Sequence, residues 1–297
     1  MADSANFDYV IVGAGTAGCV LAGRLSEDPH VRVCVIEAGG SDSHLFIHTP
    51  AMVAPAIATK RINWGFQTTP QPHLNGRKIP QPRGRVVGGS GSINGMVYSR
   101  GHPLDYEDWS AAGAVGWDYA HVLPYFIRSE NNADYPQSPL HGQDGPIHVR
   151  RPSRPNALNE AFITATASLG FPRAADFTGA TSEGVGLRQG TLHAGRRVSS
   201  ARAFLHPALH RGNVALRTDA LALRVMLQNR RATGVLYEQD GQRREVRATR
   251  EVILCAGTLQ SPQLLMLSGI GPGEELRSSA IECVLDLPGV GRNFHDH

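Results

Sequence analysis

Cysteine, long apolar runs and surplus charge are all scarce in this chain. Its four cysteines show no C-x-x-C spacing and lie among apolar neighbours, which argues against a disulfide framework and a compact zinc site. No stretch approaches the ~20 consecutive apolar residues of a membrane span. The polar start, residues 1–6, lacks the basic and apolar regions of a signal peptide. We therefore expect a cytoplasmic protein with reduced thiols.

The mild net charge of +3 gives no indication of a nucleic-acid partner. Arginine pairs at 230–231 and 243–244 lie in sequence that predicts hairpins, and no basic run is interleaved with aromatic residues. The chain has no G-x-S-x-G motif, which argues against a serine hydrolase of the α/β type. His295 and His297 form an H-x-H pair without a third ligand cluster, so we predict no metal site.

A glycine-rich turn near the start is the first feature that indicates a specific ligand. An apolar run, Tyr9–Val12, predicts a buried strand, and an apolar helical pattern follows the turn. Gly13 permits a tight turn, Gly15 lets the backbone approach a diphosphate, and Gly18 lets helix and strand pack closely. The diphosphate would lie at the helix N-terminus, where unpaired amides and the helix dipole favour negative charge.

A carboxylate completes this dinucleotide-binding pattern. The strand pattern that begins at Val31 ends at Glu37, about 20 residues after the glycines, which is the spacing of a ribose-binding acid. Its carboxylate would accept hydrogen bonds from the adenosine ribose and would repel a 2′-phosphate, which disfavours NADP. The pattern therefore predicts an adenine dinucleotide, and by itself it leaves NAD and FAD open.

A second glycine-rich run lies at Arg83–Gly101, after a proline-broken excursion that contains the aromatic group Asn63–Phe66. Small residues dominate Gly88–Gly95, so backbone amides there can close on an anion or a flat ring. From these residues alone, a ligand-binding loop and an ordinary glycine-rich loop are equally good interpretations. For the excursion, covering a cofactor and contacting a substrate both remain open.

Two long runs resemble signatures of the glucose–methanol–choline (GMC) family of FAD-dependent oxidoreductases. Gly84–Gly101 matches the first signature, and Gly257–Gly271 is similar to the second. Between them, the sequence around Asp105–Trp109 and Leu123–Phe126 resembles the choline-dehydrogenase-like bacterial members. The resemblance extends from Asp8 to the last residue.

This resemblance implies an α/β fold: an FAD/NAD(P)-binding Rossmann-like domain with a β-hairpin insertion, plus part of an α+β substrate domain with an antiparallel sheet. We place the FAD-binding domain in residues 1–104 and 190–297 and the substrate-domain portion in 105–189. The C-terminal remainder of the family fold is not in the sequence. The end of the sequence, Val290–His297, is similar to a motif that lies mid-chain in the family.

Local patterns are consistent with that architecture. Asn156–Leu169 has helical spacing of apolar residues, with Asn156 as the expected cap. Strands are predicted at Val214–Arg217, Leu221–Leu227 and 234–238, with a weak strand at Glu245–Arg250 and a buried one at Glu251–Gly257. A strand that returns to the cofactor after a hairpin insertion is characteristic of FAD-binding folds, so we predict FAD and not NAD.

The resemblance implies oxidation of a primary alcohol to an aldehyde, with hydride transfer to the flavin and with oxygen or a quinone-like compound as the electron acceptor. Ile93 occupies the position of a histidine that bonds covalently to the flavin in some members, so we predict non-covalent FAD. Ala222 is expected to contact the adenine through its backbone, and Asn94–Val97 to lie along the diphosphate and the flavin. The complete predicted set of FAD contacts is Gly13, Gly15, Thr16, Ala17, Gly18, Glu37, Ala38, Arg85, Val87, Gly88, Gly89, Asn94, Gly95, Met96, Val97, Ala222, Ala256 and Gly257.

No catalytic residue is predicted within this sequence. The general base of the family is a histidine, paired with a second histidine or an asparagine, in the C-terminal part of the fold, and His295 and His297 do not match it. A noncatalytic FAD-binding fragment or subunit that needs a complementing C-terminal chain is therefore a second hypothesis. An NAD-dependent dehydrogenase, which would carry no yellow chromophore, is a third.

Overall fold

The computed structural model of the chain describes residues 6–179 and 183–295. Residues up to Asn94 and from Ser199 onward form one compact unit, and Gly95–Val198 form the other. We call them the cofactor unit and the insert unit. The sequence analysis places domain boundaries after residues 104 and 189. The two packing units follow spatial contacts and not the family's domain definition, so those boundaries remain predictions.

The described regular elements are numbered in chain order. The strands are β1 (Asn6–Val12), β2 (Val33–Ile36), β3 (Phe66–Gln67), β4 (Pro80–Gln81), β5 (Glu130–Asn132), β6 (Ile147–Arg150), β7 (Gly190–His193), β8 (Arg196–Arg197), β9 (Val214–Arg217), β10 (Ala220–Gln228), β11 (Arg231–Gln239), β12 (Gln242–Leu254), β13 (Ile270–Gly271) and β14 (Leu285–Asp286). The helices are α1 (Thr16–Leu25), α2 (Leu45–His48), α3 (Val53–Ala58), α4 (Pro103–Ala111), α5 (Tyr119–Ser129), α6 (Ala157–Ser168), α7 (His206–Leu209), α8 (Gly257–Leu267) and α9 (Gly273–Ser278). None of the helices in the described part of the chain combines the length and apolarity that a membrane crossing needs.

The cofactor unit is built on a six-stranded sheet with the order β10-β11-β12-β1-β2-β9. Strands β12, β1, β2 and β9 run parallel, whereas β10, β11 and the first half of β12 form an antiparallel meander. The turn between β11 and β12 has left-handed backbone at Asp240 and Gly241, as a tight hairpin requires. The predicted Rossmann-like sheet with a hairpin insertion is confirmed.

One prediction about the strands was wrong in detail. Glu245–Arg250 and Glu251–Gly257 were expected to be separate strands, and they are one continuous strand of 13 residues, β12, that ends at Leu254. Its first half pairs with β11 and its second half with β1, in register Val12↔Leu254. The alternation of apolar and polar residues is weak in the first half because its arginines face solvent. No turn interrupts the backbone between the two halves.

The core of the cofactor unit lies on both faces of the sheet. In β1, Val10 and Val12 pack with the hairpin strands and α8, whereas Ile11 packs on the opposite face with α1. Successive side chains of a strand point to opposite faces, so a continuous apolar run such as that in β1 requires cover on both sides. The π-helical turn Ala201–Leu205 supplies part of that cover beside α1.

The insert unit contains a four-stranded sheet with the order β5-β6-β7-β8. Strands β6, β7 and β8 pair antiparallel as predicted, and β5 adds to β6 in parallel. The helix predicted at Asn156–Leu169 is α6, and the Asn156 side chain accepts a hydrogen bond from the Leu158 amide at 2.9 Å. Its apolar stripe is exposed all the same: Leu158 and Leu169 are 77% and 78% accessible.

A buried ionic cluster holds the insert unit together around β5. Arg100 Nη2 lies 2.6 Å from Glu130, and His141 lies 2.9 Å from both Glu130 and Asp176. Burial would lower the pKa of His141, but its hydrogen bonds to the two carboxylates outweigh burial and raise it. Burial would raise the pKa of Glu130, but hydrogen bonds from His141 and Asn132 outweigh it and lower that pKa.

This cluster predicts a pH window for stability. Because the pKa of His141 is raised in the folded protein, its contribution to stability is fully present below the ordinary value of 6.5. That contribution is lost as pH rises through the pKa of the folded state. Because the pKa of Glu130 is lowered, its contribution to stability is present above the ordinary value of 4.5 and is lost as pH falls through the pKa of the folded state. We therefore expect His141→Gln to lower the free energy of unfolding by about 3 kcal/mol near pH 5.5 and to flatten the decline above pH 6.5.

Chemical denaturation monitored across pH tests this expectation. His121→Gln is the matched control, because His121 is 68% exposed beside Asp118 and such surface pairs contribute little to stability. Equal losses in the two variants would contradict a stabilising role for the buried cluster.

Candidate functional site

The turn between β1 and α1 requires glycine for reasons of space. Gly13 has a φ of 100°, and a Cβ added there would lie 2.4 Å from the carbonyl oxygen of Cys255. A Cβ added at Gly18 would lie 1.9 Å from the carbonyl oxygen of Gly13. Helix, turn and strand end are therefore in backbone contact, as the spacing of these glycines predicts.

The first turn of α1 leaves its amides available to a ligand. Gly15 is the N-cap, and no side chain caps the helix. A Cβ added at Gly15 would meet only the Cys255 carbonyl oxygen, at an ordinary contact distance of 3.8 Å, and Gly15 lines the cavity described below. The amides from Gly15 to Ala17 and the helix dipole together make a site that fits a diphosphate.

Glu37 lies at the end of β2, beside this turn. Its Oε2 accepts a hydrogen bond from the Ala14 amide and its Oε1 one from the Gly39 amide, both at 2.8 Å. Burial raises the pKa of Glu37 to about 7, although the two amides and the charge of Arg85 favour the carboxylate. The side chain is thus held in one place and titrates near neutral pH.

A cavity of about 430 Å³ joins these features within the cofactor unit. The ends of β1, β2 and β12, the start of β10 and the N-termini of α1 and α8 surround it. Like α1, α8 begins without a side-chain cap. The predicted FAD contacts that line it are Gly13, Gly15, Thr16, Ala17, Glu37, Ala38, Gly89, Ala222, Ala256 and Gly257.

Some of the predicted residues support the cavity from behind and do not line it. Gly88 donates a 2.7 Å hydrogen bond to the Ala14 carbonyl, and Val87 is buried in the core that packs on α1. Arg85 donates from Nε to the Ala38 carbonyl at 3.3 Å and stacks on Trp64. Gly18 belongs with this group, because it is buried against the turn.

The last part of the first signature is divided between the two units. Asn94 ends the cofactor unit, exposed, with its amide 2.9 Å from the Ser90 carbonyl. Gly95, Met96 and Val97 begin the insert unit, where the Met96 carbonyl accepts a 2.9 Å hydrogen bond from Thr191. Met96 has a φ of 61°, a conformation that costs a non-glycine residue energy. These residues lie outside the lining of the cavity, and their contact with FAD remains a prediction.

The structure adds lining residues that the sequence reading did not assign. Trp64 approaches the cavity from the proline-broken excursion, Arg83 from the start of the second glycine-rich run, and the start of α8 contributes Thr258–Ser261. The α8 residues belong to the second signature, so the start of that signature was the sequence feature that could have indicated them. Trp64 had no local signal beyond its aromatic group, because only the path of the excursion decides where it lies.

No group of three histidine, cysteine, aspartate or glutamate side chains suited to a metal occurs in residues 6–179 and 183–295. His295 is exposed, and His297 lies outside the described residues. The absence of a metal site thus remains a prediction.

The close contact at Gly18 gives a test of the turn. Ala in place of Gly in a helix usually stabilises by about 1 kcal/mol. At this position the added Cβ meets fixed backbone at 1.9 Å, and overpacking of this kind costs about 3 kcal/mol or more. We expect Gly18→Ala to lower the thermal midpoint and Gly289→Ala, whose Cβ would meet no atom within 4 Å, to leave it unchanged. Equal midpoints in differential scanning calorimetry would refute the contact.

Comparison with known proteins agrees with this geometry. A family profile described as GMC oxidoreductase matches residues 7–297. An oxygen-dependent choline dehydrogenase of Rhizobium etli is 51% identical over 290 residues, which are 98% of this chain and 52% of that relative. The chain thus spans about half the length of the curated relatives that it matches.

Solved structures give the same result. Pyridoxine 4-oxidase from Mesorbium loti superposes with a TM-score of 0.94 at 37% identity, over 98% of this chain and 57% of that one. An FAD-dependent oxidoreductase from Chaetomium thermophilum superposes with a TM-score of 0.91 at 34% identity, over 98% of this chain and 52% of its own. The predicted fold class and the predicted FAD are confirmed at the level of the family. The turn at Gly13–Gly18, the two signature runs and these matches show that the chain belongs to the GMC oxidoreductase family.

Proposed function

We propose that this chain forms the FAD-binding part of an enzyme that oxidises a primary alcohol to an aldehyde. The observation that carries the proposal is the cavity in the cofactor unit, where an uncapped helix N-terminus lies beside a buried carboxylate. A diphosphate and a ribose are the two groups that this pair of features binds in dinucleotide sites.

The residues present fit FAD part by part. The amides at Gly15–Ala17 would hold the diphosphate, and Glu37 would accept hydrogen bonds from the adenosine ribose. The adenine would lie against the backbone at Ala222, where the cavity wall is apolar. Ala256 and Gly257 would border the cofactor at the start of α8, and Asn94–Val97 would follow the diphosphate towards the flavin.

When bound, FAD supplies the acceptor for the hydride that leaves the alcohol carbon. The contribution of this chain is to bind and orient the cofactor, and its backbone amides favour negative charge at the ligand. We assign the proton-accepting base to no residue of this chain. A small alcohol is the proposed substrate, and oxygen or a quinone-like compound is the proposed electron acceptor. The four cysteines, scattered among apolar neighbours without C-x-x-C spacing, support a reducing, cytoplasmic compartment.

The proposal is tested with the purified chain and added FAD. We expect a yellow complex after gel filtration and no retention of NAD, which separates this function from an NAD-dependent dehydrogenase. Reduction of the bound flavin under anaerobic conditions is then followed with choline, pyridoxine and simple primary alcohols. A chain that retains no flavin would refute the proposal.

A second candidate, a noncatalytic FAD-binding subunit, is favoured by one observation. The apolar stripe of α6, including Leu158, Phe162 and Leu169, is exposed as if another polypeptide covered it. This candidate predicts flavin binding without reduction by any alcohol. It also predicts that activity appears when a chain equivalent to the rest of the relatives' length is added.

We expect FAD to be held without a covalent bond. The family position that bonds to the flavin in some members is Ile93, whose hydrocarbon side chain is 2% exposed in a core cluster. Acid denaturation of the yellow complex followed by filtration should release all the chromophore. Colour that remains with the precipitate would contradict this expectation.

The affinity for FAD should rise with pH around neutrality. Since the pKa of Glu37 is about 7, Glu37 is protonated in half of the free protein at pH 7. These molecules must release that proton before the carboxylate can accept the ribose hydrogen bonds. We expect the dissociation constant to fall between pH 6 and 8, by at most about tenfold per pH unit. Glu37→Gln should bind more weakly and without this slope in a flavin fluorescence titration, and an unchanged slope would exclude Glu37 as its source.

A further inference from the structure

The segment that follows Glu37 is fixed by backbone hydrogen bonds as far as Gly40. The carbonyls of Glu37 and Gly39 accept hydrogen bonds of 2.9 Å from the amides of residues 219–220. The carbonyl of Gly40 accepts one of 3.0 Å from the Val87 amide. Arg85 Nε adds a hydrogen bond to the Ala38 carbonyl, and the Glu37 carboxylate accepts one from the Gly39 amide. This part of the segment therefore lies fixed between the first signature and the start of β10.

Beyond Gly40 the support changes to a single side-chain pair. Within the described ranges, residues 41–43 make no backbone hydrogen bond to another segment. The Asp42 carboxylate instead meets His206, whose Nε2 lies 3.1 Å from Oδ1 and 3.0 Å from Oδ2. The Asp42 side chain is only 7% exposed, and His206 is the one hydrogen-bond partner that the described residues give it.

His206 stands on an element that is packed firmly against α1. It directly follows the π-helical turn Ala201–Leu205, whose first and last residues are fully buried in the sheet core. Phe204 of this turn lies so close to Gly23 that an added Cβ would approach it to 3.0 Å. The pair thus ties residues 41–43, which make no backbone hydrogen bond to another segment, to a rigid part of the cofactor unit.

We propose that His206 is a positioning residue for the cofactor: it holds Asp42 and so secures the far end of the Glu37–Asp42 segment, whose near end carries the carboxylate that binds the adenosine ribose. This inference rests on the proposed binding of FAD. His206 itself lines no part of the cavity, so it acts through the segment and not by contact.

Charge strengthens the pair wherever the imidazole of His206 is protonated. The hydrogen bond with Asp42 raises the pKa of His206, while burial and the charge of Arg202 on the same helical segment act in the opposite direction. Arg24 is the charged residue of helix α1 that faces this segment: it lies over the Phe204 ring, and it forms an ion pair with Glu27. The ion pair is complete below the ordinary histidine pKa and weakens as pH rises through the raised value. A neutral imidazole still donates from Nε2, so the link is weakened and not broken.

FAD titrations of full-length variants test the role of His206. His206→Ala leaves a buried carboxylate without a donor, and we expect about tenfold weaker binding of FAD. His206→Gln keeps a donor and should bind within about threefold of the wild type at pH 6, and this difference should vanish near pH 9. The matched control is His210→Ala, because His210 is exposed one turn later and should leave binding unchanged.

Two further measurements separate positioning from general destabilisation. In a Glu37→Gln background, His206→Ala should cause no further loss, because the segment then no longer carries the carboxylate. Hydrogen exchange of the ligand-free protein should become faster at the amides of residues 37–42 in His206→Ala, with α1 and β1 unchanged.

Unchanged exchange in residues 37–42 would overturn the proposal, as would an equal loss of FAD binding in both backgrounds. Failure of the wild-type chain to bind FAD would instead refute the proposed function, and the exchange experiment would still decide whether His206 holds the segment.

Discussion

The cofactor unit depends on a backbone contact between the turn after β1 and the end of β12. Gly13 lies against the Cys255 carbonyl, the Cys255 amide donates to Val12 at 2.7 Å, and Gly18 lies against Gly13. No side chain fits in these contacts. Because they bring α1 and α8 to the same edge of the sheet, both uncapped helix N-termini open into one cavity, which thereby gains backbone amides suited to an anion.

The continuous strand β12 explains how a hairpin can be inserted without disturbing that contact. Its first half belongs to the antiparallel meander with β10 and β11, and its second half belongs to the parallel sheet beside β1. The meander therefore places Ala222 at the cavity while Leu254 remains level with Val12. A break between the two halves would separate the part of the cavity at Ala222 from the part at the turn after β1.

Buried charge has different uses in the two units. In the insert unit the charges of Arg100, Glu130, His141 and Asp176 alternate in sign, so each carboxylate faces a cation and the pKa shifts favour the ionised forms. Glu37 in the cofactor unit has only amide donors in direct contact, and burial raises its pKa. The first arrangement stabilises a fold, whereas the second leaves acceptor capacity for a ligand.

Local sequence determined what depends on neighbours in the chain: the strand–turn–helix at Tyr9–Gly18, the acid at Glu37, the Asn156 cap and the positions of the strands in the six-stranded sheet. The two family signatures, Gly84–Gly101 and Gly257–Gly271, identified the cofactor as FAD. They could do so because a long matching run of residues is more specific than the spacing of three glycines. Only the tertiary structure decided that β12 is continuous, that Trp64 reaches the cavity and that His206 meets Asp42. These features join segments far apart in sequence, and their energies come from burial and close packing, which no local pattern encodes.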